Sequence, residues 1–253
     1  FEDVSFRYGE DSADAGSAEG FAGEERQMSL EHVSFSMKKG SSLGIIGPTG
    51  CGKTTIVNLL MRFYDPTCGH VFLDGKDVRT YDKDTLHRMF GVVFQNDVIF
   101  ADTLAENISF GREISEEALR QAAANARAAE FVEAYDDTYQ HRAAIHGANL
   151  SGGQRQRILI SRALAADPDI LILDDASSAL DYKTDAALRQ AIRENLSGTT
   201  TIIVAQRVSS ILSLDHILVM EEGRIIGQGK HEELLRTCPQ YEEIYKTQMG
   251  EEG

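Results

Sequence analysis

The stretch GIIGPTGCGKTT, residues Gly44–Thr55, decides the fold. Within it Gly47, Pro48, Thr49, Gly50, Cys51, Gly52, Lys53 and Thr54 fit the pattern G-x-x-x-x-G-K-[ST], with Thr55 next in line. Glycines let the backbone turn back on itself and aim several N–H groups into one hollow. A helix leaving that hollow adds its positive N-terminal end, so a polyphosphate is held there. The apolar run before the loop, residues 43–46, reads as a buried strand, and residues 56–61 read as the helix that leaves it. Strand, glycine loop, lysine and helix in that order are the context this pattern needs. Lys53 is then placed to reach the β- and γ-phosphates, and the Thr54 hydroxyl to hold Mg²⁺.

The chain has 253 residues, 42% of them hydrophobic, enough for one large domain or for a core with a small appended lobe. Its net charge of −15 argues against a nucleic-acid partner, which would need a basic face. It favours solubility and gives a weak pointer to a salty habitat. No apolar run approaches the length of a membrane span, and no signal peptide is evident. Cys51, Cys68 and Cys238 lack metal-ligand spacing and read as reduced thiols of a cytosolic compartment. The chain opens on a strand-like segment without methionine and is read as part of a longer polypeptide.

Residues 4–8 and 30–37 alternate apolar and polar side chains, as half-buried strands do. The acidic, glycine- and serine-bearing stretch 9–26 between them has no periodicity and is expected to be a mobile loop. Residues 71–75 predict a strand entering a tight turn, and 90–95 a buried strand ending on the amide of Gln95. Residues 116–135 are alanine-rich with helical apolar spacing and predict a small helical lobe between strands of the core. The run ILILDD, residues 170–175, is an apolar strand ending in two carboxylates, the signature of a parallel sheet covered on both faces. A helix over 181–195, strands over 200–205, 216–220 and 224–228, and helices over 231–237 and 241–249 complete the chain. Strands alternating with helices imply an α/β fold with no internal repeat.

The second strong signal is LSGGQRQR, residues 150–157. With the phosphate loop, the ILILDD strand and Gln95, it resembles the nucleotide-binding domain of an ATP-binding cassette (ABC) transporter, most closely the exporter type, over nearly the whole chain. The resemblance implies a P-loop NTPase (RecA-like) core with a mostly parallel sheet, an antiparallel N-terminal β subdomain and an inserted helical subdomain. In that reading residues 1–102 and 163–253 form the ATP-binding core with its β subdomain, and 103–162 the helical subdomain. ATP with Mg²⁺ is the implied ligand pair. The partners implied are a second nucleotide-binding domain and the transporter's transmembrane domain, and the place is the cytoplasmic face of a membrane. By the same resemblance Tyr8 stacks on adenine, Asp174 and Gln95 serve the Mg²⁺ shell with Thr54, and Asp181 speaks to the opposite subunit. Ser151, Gly152, Gly153 and Gln154 precede or open a helix, and their N–H groups and hydroxyl suit an anion. In the family that anion is the γ-phosphate of an ATP held by the partner, so two domains sandwich two ATP molecules.

Two positions depart from an active member of that family. Asp175 stands where glutamate serves as general base, and one methylene fewer withdraws the carboxylate by roughly 1.5 Å, while about 1 Å of displacement can cost 10²-fold in rate. Gln206 stands where the switch loop carries histidine; it donates and accepts hydrogen bonds but cannot become a cation. Both fall in one site beside an intact LSGGQ, and the combination resembles one half of a heterodimeric exporter. Its own site would be slow, and its signature would complete a competent site on a non-identical partner. Residues 144–149 also lack the charged residues that exporters often show there. Two other readings stand beside this one: a regulatory module in which ATP is dimerisation glue rather than fuel, and a soluble ABC protein without a membrane partner.

Overall fold

The computed structural model describes residues 1–9, 28–176, 179–196 and 198–250. The acidic stretch expected to be a loop lies, apart from Gly9, outside the described residues. In chain order the strands are β1 (Glu2–Phe6), β2 (Leu30–Val33), β3 (Ser42–Ile46), β4 (Cys68–His70), β5 (Phe72–Leu73), β6 (Lys76–Asp77), β7 (Phe90–Val93), β8 (Ile170–Asp174), β9 (Thr200–Ala205), β10 (His216–Glu221) and β11 (Arg224–Gly229). The helices are α1 (Lys53–Leu60), α2 (Lys83–Arg88), α3 (Leu104–Ser109), α4 (Glu116–Asn125), α5 (Ala129–Val132), α6 (Gly152–Leu164), α7 (Tyr182–Asn195), α8 (His231–Thr237) and α9 (Pro239–Met249).

The main sheet runs β11-β10-β3-β9-β8-β7, parallel from β10 to β7, with β11 an antiparallel edge strand. A parallel sheet needs cover on both faces, and the side chains of β8 divide accordingly. Leu171 and Leu173 enter the cluster formed with α4, α6 and α7, whereas Ile170 and Ile172 enter the cluster formed with α1 and the N-terminal strands. Ile203 and Ala205 of β9 follow the first pair, and Ile202 and Val204 the second. A smaller antiparallel sheet, β2-β1-β4, lies over the second cluster. The fold class is therefore the one the sequence implies: a mostly parallel α/β core, antiparallel N-terminal strands and helical insertions.

Locally the structure differs from the sequence reading where long-range contacts override alternation. The strand expected over 30–37 stops at Val33. Beyond it the Asp3 N–H is taken by the Ser34 hydroxyl at 2.9 Å, and Phe35 stacks on Phe1 at 4.7 Å, so the ladder gives way to side-chain contacts. Within the helical lobe expected over 116–135 the first helix ends at Asn125. Arg127 is left-handed (φ 57) and the Ala128 N–H closes back on the Ala123 carbonyl at 2.7 Å, a helix stop carried here by arginine instead of glycine. The tight turn expected after 71–73 is present at Asp74-Gly75, both with positive φ, joining β5 to β6.

The helical segment shares a hydrophobic cluster with the sheet, and a buried cation adds a polar link to the chain before it. Arg162 of α6, 8% exposed, donates to the Asn107 carbonyl (2.8 Å), the Asn107 side-chain oxygen (3.1 Å) and the Val98 carbonyl (3.0 Å). Its guanidinium also lies over the rings of Phe100 and Phe110. The helix that LSGGQ opens is thereby fastened to the segment that follows Gln95.

Candidate active site

The parallel register brings the sequence-predicted residues to one edge of the sheet. Ile46 pairs with Ala205, Val204 with Asp174, and Val93 with Leu173. Gly47, Gln206 and Asp175, which follow these strand ends, and Gln95, two residues beyond Val93, therefore emerge along one edge. The crevice outside the carboxyl ends of parallel strands is where open α/β sheets bind ligands.

The loop from Gly47 to Gly52 is packed so closely from behind that it admits no side chain at either end. A Cβ on Gly47 would lie 2.2 Å from the Met220 carbonyl oxygen, and one on Gly52 (φ 101) would lie 2.7 Å from the Ser29 carbonyl oxygen. The β10–β11 turn braces the same loop, Gly223 donating its N–H to the Cys51 carbonyl at 3.2 Å. Thr49 and Gly50 form the loop's outer crest, where a Cβ on Gly50 would meet nothing within 4 Å. Lys53, the first residue of α1, turns its ammonium back over the loop and donates to the carbonyls of Gly47 (2.7 Å) and Pro48 (2.8 Å). The cradle fits a polyphosphate: a helix N-terminus, an ammonium over the loop and a backbone held open from behind.

Thr54 donates its hydroxyl to Asp174 at 3.0 Å. Asp174 is 4% exposed, and burial raises its pKa above 3.8, with Thr54 and Lys53 opposing the shift and Asp175 adding to it. A hydroxyl and a buried carboxylate 3.0 Å apart, beside a phosphate cradle, form a donor set suited to Mg²⁺. The sign for stability follows from the raised value. The folded chain binds this proton more readily than the unfolded chain, so stability grows as pH falls through the folded-state value and levels off below the ordinary one. Asp174→Asn is accordingly expected to raise Tm at pH 7 without Mg²⁺, because it removes a buried charge whose ionisation the fold disfavours. The same substitution should remove the extra Mg²⁺-dependent rise in Tm given by ATP. Thermal scans with and without Mg-ATP check both halves, and a lower Tm without ligand would contradict the first.

Asp175 lies just beyond β8 in the left-handed region (φ 52), its N–H bonded to the Val204 carbonyl at 2.9 Å. Its carboxylate accepts from the Gln206 amide at 2.8 Å and from the Gln95 amide at 3.4 Å, both on the same oxygen. Burial raises its pKa, while the charges of Arg207 and Lys53 oppose the rise. Arg207, Gln248 and the buried Asp185–Arg189 pair behind the switch loop are site neighbours that sequence reasoning missed. No local spacing links them to the motifs, although Arg207 sits directly beside Gln206 in VAQR.

Elsewhere the structure offers both local and functional explanations. Tyr8 is half-buried, its ring edge-on to Phe6 (4.7 Å) and Tyr64 (5.1 Å), and its hydroxyl sits 3.1 Å from that of Thr55. It thus flanks α1 and is held by local packing. Ser151 and Gln154 form a reciprocal capping box: the Ser151 hydroxyl accepts from the Gln154 N–H (3.2 Å), and the Gln154 side chain accepts from the Ser151 N–H (2.8 Å). The local cap and the signature are one structure. Yet the fold does not demand glycine there, because a Cβ on Gly152 or Gly153 would find its nearest neighbour at 3.7 Å or 3.6 Å, ordinary contact distance. Asp181 caps α7 through the Thr184 N–H at 2.9 Å. Cys51 is 4% exposed and burial raises its thiol pKa, which disfavours the thiolate. A cavity of about 830 Å³ lies away from this edge, between the N-terminal strands and α1, with Phe35, Met37, Leu60 and Phe72 among its walls. The site is therefore defined by the converging polar groups at the strand ends, not by cavity size.

Fold and site together define a nucleotide-binding domain of the P-loop NTPase class. A family model described as ABC transporter matches residues 30–178, and the chain belongs to that family. Among similar proteins is an ATP-dependent lipid A-core flippase of Vibrio cholerae, 42% identical over 233 residues, covering 91% of this chain and 40% of that protein. A beta-(1→2)glucan export ATP-binding/permease protein, NdvA, of Rhizobium etli is 42% identical over 235 residues, covering 92% of this chain and 38% of that one. Among solved structures, that of a bacterial Atm1-family ABC exporter with ATP bound superposes with a TM-score of 0.87 at 36% identity, over 98% of this chain and 41% of that chain. The chain thus spans about two fifths of the length of these relatives. No described helix is long and apolar enough to cross a membrane.

Proposed function

We propose that this chain is the ATP-binding cassette of an exporter, with a slow hydrolytic site of its own, and that it pairs with a second, non-identical cassette. In this reading the phosphate loop from Gly47 to Thr55 grips the triphosphate, and Lys53 moves from the loop carbonyls to the β- and γ-phosphates. Thr54, Asp174 and Gln95 hold Mg²⁺, which when bound screens the developing phosphate charge. Tyr8 offers its ring to adenine. The α6 N-terminus, with Ser151, Gly152 and Gly153, completes the partner's site. The exposed rings of Phe63, Phe100 and Phe110 with Val98, around the segment after Gln95, suit docking to a transmembrane domain at the cytoplasmic membrane face. Residues 103–162 act as the helical lobe.

The observation that carries the slow-site reading is the pair of amides on Asp175. A general base must present a free lone pair to the attacking water. Here the carboxylate is short by a methylene, and one oxygen is already bound by Gln206 and Gln95. Gln206 supplies no cation to the transition state. The chain alone is therefore expected to bind Mg-ATP with a Kd in the usual micromolar range while turning it over well below the roughly 1–10³ s⁻¹ of typical enzymes. Equilibrium binding and phosphate release on the same preparation check this. Turnover within that ordinary range would sink the slow-site reading. Tight binding, with hydrolysis at background even beside a competent partner cassette, would favour ATP as dimerisation glue.

A further inference from the structure

We propose that Gln248, on the C-terminal helix α9, is a positioning residue for the reaction centre and clamps the switch loop that carries Gln206. The Val208 N–H donates to the Gln248 side-chain oxygen at 2.7 Å, and the Gln248 side-chain nitrogen donates to the Gln206 carbonyl at 2.9 Å. These partners fix the amide's orientation, because a backbone N–H only donates and a carbonyl only accepts. One carboxamide thus grips the backbone on both sides of Arg207, while the Gln206 side chain reaches Asp175 at 2.8 Å. The clamp's role in the reaction rests on the reading of Gln206 proposed above.

The clamp is anchored. Tyr241, seven residues earlier on α9, is fully buried, and its hydroxyl lies 2.9 Å from the His231 ring nitrogen of α8. Seven residues are two helical turns, so Tyr241 and Gln248 share one face of α9. That face sets where the carboxamide stands. The other side of the loop is held by α7. Arg189 donates to the Ser209 carbonyl at 2.7 Å and pairs with Asp185 at 2.9 Å, and Asp185 accepts from Ser210 at 3.3 Å. The loop is thus held between α7 and α9, and Gln248 is the contact nearest Gln206. Only a glutamine satisfies both bonds: asparagine is one methylene short, and glutamate presents acceptors alone.

The test uses the whole polypeptide that carries this chain and reads hydrogen exchange at the Val208 amide, single-turnover hydrolysis of Mg-ATP, and Mg-ATP affinity. Gln248→Ala is expected to speed Val208 exchange by about tenfold, the factor that one lost hydrogen bond allows. By releasing Gln206 from the Asp175 oxygen it should raise the single-turnover rate about two- to threefold, with affinity changed by less than about twofold, a gain that general loosening of the fold would not give. Gln248→Glu should keep Val208 protected and still raise the rate, because it retains the acceptor and loses the donor that holds the Gln206 carbonyl. In a Gln206→Ala background, Gln248→Ala should add nothing further. Unchanged Val208 exchange or a lowered rate in Gln248→Ala, or rate gains that multiply in the double variant, would overturn the proposal. A Gln206→Ala variant with no gain in rate would overturn the reading of Gln206 itself, and with it the clamp's role in the reaction, while Val208 exchange would still report whether the contact exists.

Discussion

Asp175→Glu combined with Gln206→His is expected to raise Mg²⁺-dependent ATP turnover about 10²-fold in dimers formed by this chain. On the proposed slow-site reading, two departures are repaired together. The added methylene carries the carboxylate roughly 1.5 Å farther from β8, toward a water in line with the γ-phosphate. The imidazole replaces an amide that now donates to Asp175 at 2.8 Å. It can carry positive charge where charge develops in the transition state. Either change alone should give much less. With Asp175→Glu alone, Gln206 and Gln95 still compete for the carboxylate; with Gln206→His alone, the carboxylate remains short. A steady-state phosphate-release assay on the three variants reads this directly. A flat response across all of them would place the defect elsewhere, in pairing.

Lys53→Ala is expected to weaken ATP binding by about 10²-fold or more. The ammonium is the first side chain of α1 and is already suspended over the loop, donating to Gly47 and Pro48. Exchanging those neutral acceptors for phosphate oxygens makes charge-assisted bonds, each worth about 1.5–3 kcal/mol. Two such bonds lost together give the expected factor. Because the loop is braced from behind by Met220, Ser29 and Gly223, the substitution should leave Tm nearly unchanged. Lys53→Arg should not rescue affinity fully, since a planar fork does not replace a point charge in so narrow a hollow. Calorimetric titration of Mg-ATP with a parallel melting curve separates lost binding from lost folding, and binding within about twofold of the unsubstituted chain would contradict the assignment.

Much of this site is legible in the amino-acid order alone, and the reason is local. The phosphate loop, the ILILDD strand and the signature each carry their chemistry within about ten residues, so residue type and order suffice. The parallel sheet then brings Gln95, Asp175 and Gln206 together by register alone. What stays hidden depends on distance in sequence or on backbone conformation that composition does not announce. The left-handed turns at Asp175 and Arg127 occur without glycine. The strand after Val33 yields to a Phe1–Phe35 stack that no alternation rule foresees. Gln248 meets the switch loop across some forty residues, and Arg162 meets Asn107 across more. The serine of the signature shows the opposite limit. Its spacing points to an anion site, while the structure shows the same atoms also closing a capping box.

On the proposed function, the two faces of this chain serve different ATP molecules, its phosphate loop a slow one and its Ser151 face a fast one held by a partner. The most direct measurement is ATP turnover in the assembled pair with a competent partner cassette, comparing Ser151→Arg with Asp175→Ala in this chain. Ser151→Arg is expected to lower turnover by about 10²-fold or more, by blocking the partner's γ-phosphate, while Asp175→Ala should change it by less than about twofold. If Asp175→Ala were to cost as much as Ser151→Arg, this chain's own site would be the working one, which would contradict the proposed division between the two sites.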